Sequence, residues 1–346
     1  MNLLKLKNVN NRHYKYALKQ EISAAISGNT APHAWPPNID LHPLINRYRN
    51  KNFFGIESDS EDGWYQFLAN SLLPTKLGLS LGSGDARHEK RLTELGLVEE
   101  WYAVDLAENP LDTFTETGNN KFLYGDLNFM ELPEKKFDII YCHAFLHHIT
   151  NLEHLFLQIN KSLTDNGTLI VYEYVGENKW QWDEQKYTLL KENVSSKLNN
   201  KIPGFDFKRK PLYAMSKRPF ESVRSSEIPV LLNNIFEPTF FNHWNRIIYP
   251  FLNGLQIPRK YKGKEDIIET FIQHAIELET ELIEDKSLLP TELNAIYKKR
   301  KDPRVTAVTP WTEDEIKTNL GEINQPIMIS IINIGKKVYR KLKKWF

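Results

Sequence analysis

A glycine-rich turn that joins an apolar segment to a polar one is the feature that most constrains the fold of this chain. Residues 77–82 read LGLSLG, and Ser83, Gly84 and Asp85 follow directly. A strand that turns through glycines into a helix lets the backbone approach a ligand closely and directs helix N–H groups at it. The segment therefore predicts a strand–turn–helix unit with a binding turn at its centre.

The alternation of apolar strands and helices continues downstream. The predicted strands lie at 77–82, 101–106, 121–127, 136–142 and 167–175, with further candidates near 235–241 and 292–299. The main predicted helices lie at 85–95, 151–163 and 265–285. Strands that are apolar throughout and alternate with helices are typical of a parallel sheet covered on both faces. We expect an α/β fold with a Rossmann-like, doubly wound sheet of about seven mostly parallel strands and helices on both faces.

The length of 346 residues suits one large domain with additions, or two domains. Residues 1–62 are polar with scattered prolines, and we expect them to form an N-terminal cap of helices and loops. The central domain is expected to span 63–300, with an insertion at 176–227 that covers the binding site. Residues 301–346 are expected to form a C-terminal extension that ends in a basic amphipathic tail.

The composition excludes several classes of protein. The 45 basic and 44 acidic residues balance, which argues against a chain-wide surface for nucleic acid. The lone cysteine, Cys142, excludes a disulfide framework and a cysteine-built metal site. No apolar run approaches the roughly 20 residues that span a bilayer, and the N-terminus lacks the apolar stretch of a secretory signal. We therefore expect a cytoplasmic, soluble protein.

Polar residues stand where the predicted strands end. Asp105 ends the second strand, Asp126 ends the third and His143 follows the fourth, while Glu173 and Tyr174 end the fifth. The carboxyl ends of parallel strands meet at one edge of the sheet, where open α/β folds bind their ligands. We therefore expect these side chains to line one crevice.

Asp105 and Asp126 stand where carboxylates that bind a nucleoside are expected. A carboxylate one strand after a glycine turn commonly accepts hydrogen bonds from two ribose hydroxyls, and Asp105 stands there. Asp126 is placed to meet an adenine amino group. The full dinucleotide fingerprint would have a third glycine where Arg87 stands. A nicotinamide cofactor shares the glycine turn and Asp105 but does not predict Asp126, so it is the second choice.

Five segments in order carry a family resemblance: LSLGSGDARHEKRL, AVDLAEN, YGDLNF, FDIIYCHAFLHHI and LTDNGTLIVYEYVG. They resemble the successive motifs of class I S-adenosylmethionine-dependent methyltransferases, over roughly residues 63–176. The resemblance implies S-adenosyl-L-methionine as the cofactor and passes the glycine turn under its methionine part. The cofactor-binding residues that it implies are Gly82, Ser83, Gly84, Asp85, Asp105, Leu106, Asp126, Leu127 and His143.

A looser resemblance, to about residue 300, is to small-molecule methyltransferases of bacterial glycan biosynthesis. It implies transfer of a methyl group to a hydroxyl of a sugar or glycan precursor. A hydroxyl acceptor must lose its proton, so a base is useful. His143 is the first candidate for the base, followed by Glu173 and Tyr174. An N-methyltransferase of a small metabolite and a catalytically silent Rossmann-fold scaffold are the alternatives.

Three further histidines follow His143, and they raise the question of a metal. His147 and His148 are expected to start the helix after the fourth strand, with His154 within it. There is no HExxH motif and no carboxylate within 143–152. We therefore expect no metal site, and for His147 and His148 a structural role is as well supported as a place in the site.

Two basic segments have open roles. The insertion carries six cations with aromatic neighbours: Lys208, Arg209, Lys210, Lys217, Arg218 and Arg224. They suit recognition of an anionic acceptor, although a solvated surface loop is the favoured interpretation. The tail at 327–346 joins an apolar half to a basic half, as in helices that lie on anionic membranes. Packing on the domain or on a partner is slightly favoured there, and the oligomeric state is not indicated.

Overall fold

The structure is a computed structural model. It describes residues 12–26, 42–106, 120–180, 184–197, 206–207, 218–248, 255–256, 263–282 and 288–304. The cations at 208–217 and the tail at 327–346 lie outside these ranges. No helix within the described residues is long and apolar enough to cross a bilayer.

Three α-helices precede the sheet in the part of the chain that the structure describes. They are α1 (Arg12–Ile26), α2 (Pro43–Arg49) and α3 (Gly63–Ser71). Pro43 suits the first turn of α2, where its missing N–H costs nothing, and the His42 ring caps the helix by accepting from the Leu44 N–H. A π turn, Asn50–Phe54, continues α2 and ends at Gly55 in the left-handed region.

The central part alternates strands and helices. The strands are β1 (Thr75–Leu81), β2 (Val98–Asp105), β3 (Lys121–Tyr124), β4 (Phe137–His143), β5 (Leu163–Tyr174), β6 (Asp206–Phe207), β7 (Phe236–Trp244), β8 (Leu255–Gln256) and β9 (Glu292–Lys299). The remaining α-helices are α4 (Arg87–Glu94), α5 (Leu152–Ser162), α6 (Glu184–Lys197), α7 (Ile228–Ile235) and α8 (Glu265–Glu281). Strands β6 and β8 pair with each other, apart from the main sheet.

The main sheet has seven strands in the order β3-β2-β1-β4-β5-β9-β7. Strands β1 to β5 are parallel to one another, and β9 runs antiparallel between β5 and β7. The strand order reverses between β1 and β4, which is the switch point where such sheets bind ligands. The predicted α/β fold, with its doubly wound and mostly parallel sheet, is confirmed.

Both faces of the sheet are buried. One face packs Ile140, Leu169 and their neighbours against α5 and α7. The other face packs Trp101 and Tyr141 against α3 and α4. Burial on both sides explains why these strands are apolar throughout instead of alternating.

One predicted element is wrong. His147 and His148 do not start the helix after β4, because they belong to a short 3₁₀ turn, Leu146–His148, and α5 begins only at Leu152. The physical reason is the Glu173 carboxylate, which accepts the N–H groups of Phe145 and Leu146 and so holds the chain in this turn. The domain boundaries at 62, 176, 227 and 300 remain predictions.

Candidate active site

The glycine turn after β1 has the backbone conformation that the sequence predicts. Gly82 and Gly84 both have positive φ, at 69° and 54°. The N–H of Gly82 donates to the Val104 carbonyl at 2.8 Å, which ties the turn to β2. A Cβ on Gly82 would lie 2.1 Å from the Phe145 ring, so only glycine fits there. A Cβ on Gly84 would meet nothing within 4 Å, so the turn is open on that side.

Asp105 faces this turn from the end of β2. Its Oδ2 accepts the N–H of Gly84 at 3.0 Å, and its backbone carbonyl accepts the N–H of Gly125. The carboxylate therefore lies beside the open side of the turn. Ser83 is buried, and its hydroxyl makes no hydrogen bond to the residues that the structure describes. An open glycine turn, an adjacent carboxylate and an orphaned hydroxyl fit a nucleoside cofactor. Leu106 follows at the edge, partly buried.

Asp126 has protein partners on both oxygens. Its Oδ2 accepts from the Tyr14 hydroxyl of α1 at 2.8 Å, and its Oδ1 accepts from the Asn128 backbone and side chain. Burial raises the pKa of Asp126, and burial together with the Asp126 charge raises the pKa of Tyr14. An adenine amino group would therefore share a carboxylate that already has donors. Leu127 is buried in the hydrophobic core of the sheet, and its contact with adenine remains a prediction.

Asp85, at the end of the turn, has a hydrogen-bond partner in the first residue of α4, Arg87. Arg87 donates to it from Nε at 2.9 Å and from its backbone N–H at 3.2 Å. The Arg87 hydrogen bonds hold the pKa of Asp85 below its usual value. Asp85 therefore stabilises the first turn of α4. Arg87, which stands at the position of the third glycine in the dinucleotide fingerprint, forms an ion pair with Asp85.

His143 ends β4 among other rings. Its Nδ1 lies 3.1 Å from the Tyr141 hydroxyl, and its ring centroid is 3.8 Å from that of His88 and 4.5 Å from that of Tyr172. Burial lowers the pKa of His143 well below its usual value, and the charges of His88 and Arg49 lower it further. His143 is therefore neutral near pH 7 and a weak base.

Glu173 is fully buried at the end of β5 and acts as an acceptor for its surroundings. Its carboxylate accepts the backbone N–H groups of Phe145 at 2.9 Å, Leu146 and Tyr174 at 2.7 Å. It also bonds Nδ1 of His147. With these partners Glu173 positions the turn after β4, and Phe145 of this turn lies against Gly82. The neighbouring Tyr174 is buried, and its hydroxyl donates to the Glu177 carbonyl at 3.4 Å.

His147 is the residue that sequence reasoning left undecided. Its Nδ1 bonds Glu173, and its Nε2 lies 3.5 Å from a Glu221 carboxylate oxygen. Burial alone would lower the pKa of His147, but the Glu173 charge and hydrogen bond and the Glu221 charge outweigh it and raise the pKa. Only the three-dimensional pairing with Glu173 separates this histidine from its neighbours in the sequence. His148 differs, because burial and the charge of His147 lower its pKa to about 3.

Helix α1 and the segment 218–224 cover this cluster. Glu21 of α1 lies 3.4 Å from His148 Nδ1 and 3.9 Å from Arg218. Arg218 also pairs with Glu221 at 3.1 Å. Arg224 is buried and bonds Glu153 of α5. The two described members of the predicted basic cluster therefore already have acidic partners.

One group in the described part of the chain has metal-binding geometry. Ligand atoms of His147, His148 and Glu221 lie within 4.8 Å of one another. The Arg218 guanidinium lies 3.1 Å from Glu221 and competes with a cation for that carboxylate. The Glu173 hydrogen bond leaves Nε2 of His147 as the nitrogen that could bind a metal or take a proton.

Comparison with known proteins agrees with this geometry. Residues 79–171 match the family model described as "Methyltransferase domain". A phosphoethanolamine N-methyltransferase of Plasmodium falciparum is 31% identical over 103 residues, which are 26% of this chain and 39% of that protein. A sterol 24-C-methyltransferase of Neurospora crassa is 26% identical over 155 residues, which are 44% of this chain and 40% of that protein. The chain thus matches about two fifths of the length of these relatives.

A solved phosphoethanolamine N-methyltransferase 2 of Haemonchus contortus, in complex with phosphomonomethylethanolamine and S-adenosylhomocysteine, is also similar. It shares 14% identity with a TM-score of 0.37, and the match covers 75% of this chain and 57% of that one.

The strand order and the glycine turn define a nucleotide-binding, doubly wound α/β domain, whose crevice lies at the carboxyl ends of its strands. The match to the methyltransferase family model includes that turn, so it identifies the kind of domain. Residues 79–171 form a class I methyltransferase domain, and S-adenosyl-L-methionine is confirmed as the predicted cofactor of this domain.

Proposed function

We propose that the protein methylates an amine nitrogen of a small molecule and that His147 takes the proton which the nitrogen loses. The cluster of the buried His147, Glu173 and Glu21 with the half-buried Glu221, at the ends of β4 and β5, carries this proposal. Three carboxylates against one arginine, Arg218, give the cluster a negative potential that attracts an ammonium group.

S-adenosylmethionine, when bound, supplies a methyl group activated by a positively charged sulfur. Gly82, Gly84 and Asp105 would hold it by backbone approach and by hydrogen bonds to ribose. Positioning the acceptor against the methyl group contributes most of the rate. An ammonium acceptor has no lone pair, so its proton must leave before the nitrogen reacts. Nε2 of His147 receives that proton, while Glu173 fixes the ring and stabilises its charged form.

The hydroxyl of a sugar or glycan precursor is the acceptor expected from the sequence resemblance. Neither curated relative reported above is an O-methyltransferase by name, since one methylates a nitrogen and the other a carbon. The acidic cluster also favours a cationic acceptor over a neutral sugar.

An acceptor screen tests the proposal through release of S-adenosylhomocysteine. We expect turnover with primary amines such as phosphoethanolamine and none with sugars. The matched pair of variants is His147→Gln and His143→Gln. His147→Gln should lower kcat about 100-fold or more, within the usual contribution of a general base, and leave S-adenosylhomocysteine binding unchanged. His143→Gln should retain most of kcat. Turnover of sugars alone, or full activity in His147→Gln, would disprove the proposal.

A further inference from the structure

Arg49, the last residue of α2, is a buried cation that has no carboxylate partner within the described part of the chain. Its residue exposure is 6%, and guanidinium groups stay protonated in proteins. Nη2 donates to the Asn46 side-chain oxygen at 2.8 Å, and Nε donates to that of Asn50 at 3.5 Å. Among the described residues, no carboxylate lies within ion-pair distance of Arg49, and Nη1 makes no hydrogen bond.

Two amide oxygens satisfy hydrogen bonds but do not neutralise a charge. Buried charges in proteins are normally paired, because removing an ion from water is costly. This chain follows the rule at Arg224, which is similarly buried and has Glu153 and Glu227 as partners. No described group therefore neutralises the charge of Arg49, and an anion bound to its guanidinium would do so.

The surroundings of Arg49 hold it in place. Ile45, one helical turn earlier, packs with Ile268 and Phe271 of α8. The amide of Asn50 donates to the carbonyls of Ser58 at 2.9 Å and Ser60 at 2.7 Å. A charged group on such a rigid platform needs little reorganisation to bind a ligand.

Arg49 also lies near the site edge of the sheet. In the π turn that follows it, the Phe53 carbonyl accepts from Asn242 of β7 at 2.8 Å. The charge of Arg49 acts on His143 at the end of β4, beside the glycine turn. Along this edge Asp126, Asp105, the glycine turn and His143 follow one another. A nucleoside cofactor laid along them would point its amino-acid end toward His143.

We propose that Arg49 binds an anionic group, a carboxylate or a phosphate, of a ligand held in this site. The inference rests on the methyltransferase function proposed above. Two sources offer the same chemistry: the carboxylate of the methionyl part of the cofactor, and an acidic group on the acceptor. A guanidinium binds either through paired, charge-assisted hydrogen bonds.

The test compares Arg49→Met with Arg49→Lys and with Arg47→Met, an exposed arginine of the same helix that pairs with Asp59. Calorimetry measures S-adenosylhomocysteine and 5′-methylthioadenosine, which lacks the amino acid. If the anion belongs to the cofactor, Arg49→Met weakens S-adenosylhomocysteine about 10- to 100-fold and leaves 5′-methylthioadenosine unchanged. Arg49→Lys should restore part of the affinity, and Arg47→Met should match the wild type.

If the anion belongs to the acceptor, S-adenosylhomocysteine binds equally to both proteins. Inorganic phosphate then raises the melting temperature of the wild type, but not of Arg49→Met. Without ligand, Arg49→Met should be at least as stable as the wild type, because an unpaired buried charge is removed. Failure of the wild type to bind either thioether nucleoside disproves the proposed function, while the phosphate arm still reports on Arg49. Equal responses of wild type and Arg49→Met to every probe would overturn the assignment to Arg49.

Discussion

Glu173 shows that the position of a residue in the sequence and its chemical role can differ. The sequence places a carboxylate at the end of a buried strand, which makes it a candidate base. In the structure its oxygens accept from three backbone N–H groups and bond His147, so in the proposed function Glu173 positions the base and does not itself take the acceptor's proton. Position along the chain predicted its location, while its partners decide its role.

The pH dependence of the reaction reports on this pair. The neutral form of His147 takes the proton, so kcat should rise with pH through the pKa of His147. That pKa is raised, so the midpoint should lie above the ordinary histidine value of about 6.5. Glu173→Gln removes the stabilising charge while burial remains, and the midpoint should move down. A pH–rate profile measures this. An unchanged midpoint in Glu173→Gln, with native circular dichroism, contradicts the assignment.

Two glycines of the binding turn offer a matched comparison. Gly82→Ala and Gly84→Ala place an alanine at similar positive φ, which costs about 1–2 kcal/mol in each. The new Cβ of Gly82→Ala also overlaps the Phe145 ring, whereas that of Gly84→Ala meets open space. We expect Gly82→Ala to lower the free energy of unfolding by about 3 kcal/mol or more, judged by typical overpacking costs. Urea unfolding measures both, and equal losses would show that Phe145 does not pack there.

At the scale of elements, α1 is held over the sheet edge by side chains that no sequence pattern identifies. Tyr14 packs against Phe129 at a 4.9 Å centroid distance and Phe220 at 5.5 Å, and its hydroxyl reaches Asp126. Glu21 accepts the N–H of Phe220 at 3.4 Å. The helix therefore joins the third strand's end to the segment after the insertion.

Tyr14→Phe isolates the hydrogen bond from the packing. The phenyl ring keeps its aromatic neighbours, while the half-buried Asp126 carboxylate loses a donor. We expect the free energy of unfolding to fall by about 2 kcal/mol, as for hydrogen bonds to charged groups. Tyr16→Phe, in the same helix, is the control, since its hydroxyl makes no hydrogen bond to the described residues. Equal effects of the two changes in chemical denaturation would remove the proposed anchor.

The elements themselves were largely predictable, and the reason is burial. Strands covered on both faces are long apolar runs, and glycine or proline marks their ends, as at Pro74 and Gly82. Helices α5 and α8 and the late strands β7 and β9 lie close to their predicted ranges. The 3₁₀ turn at Leu146–His148 was not predictable, because a carboxylate on another strand holds it in place.

For the whole molecule, one edge of the sheet brings the chemistry together. Asp105, the glycine turn and His143 come from three neighbouring strands, and strand order alone predicts their proximity. Arg49 and Glu21 enter from helices before the sheet, and Glu221 enters from the segment after the insertion. Contacts between such distant segments depend on tertiary packing, so the sequence does not predict that these three side chains reach this edge.

A cofactor that lies between the glycine turn and Asp105 is the basis of every role proposed above. Titration with S-adenosylhomocysteine, followed by calorimetry, tests this directly on the wild type, Asp105→Asn and Asp165→Asn. Asp165 is an exposed acid on the opposite edge, paired with Lys135, and controls for loss of charge. We predict binding by the wild type and Asp165→Asn, and a loss of about tenfold or more in Asp105→Asn, as for a lost charged hydrogen bond. No binding by the wild type, or equal affinity in all three proteins, would contradict the account.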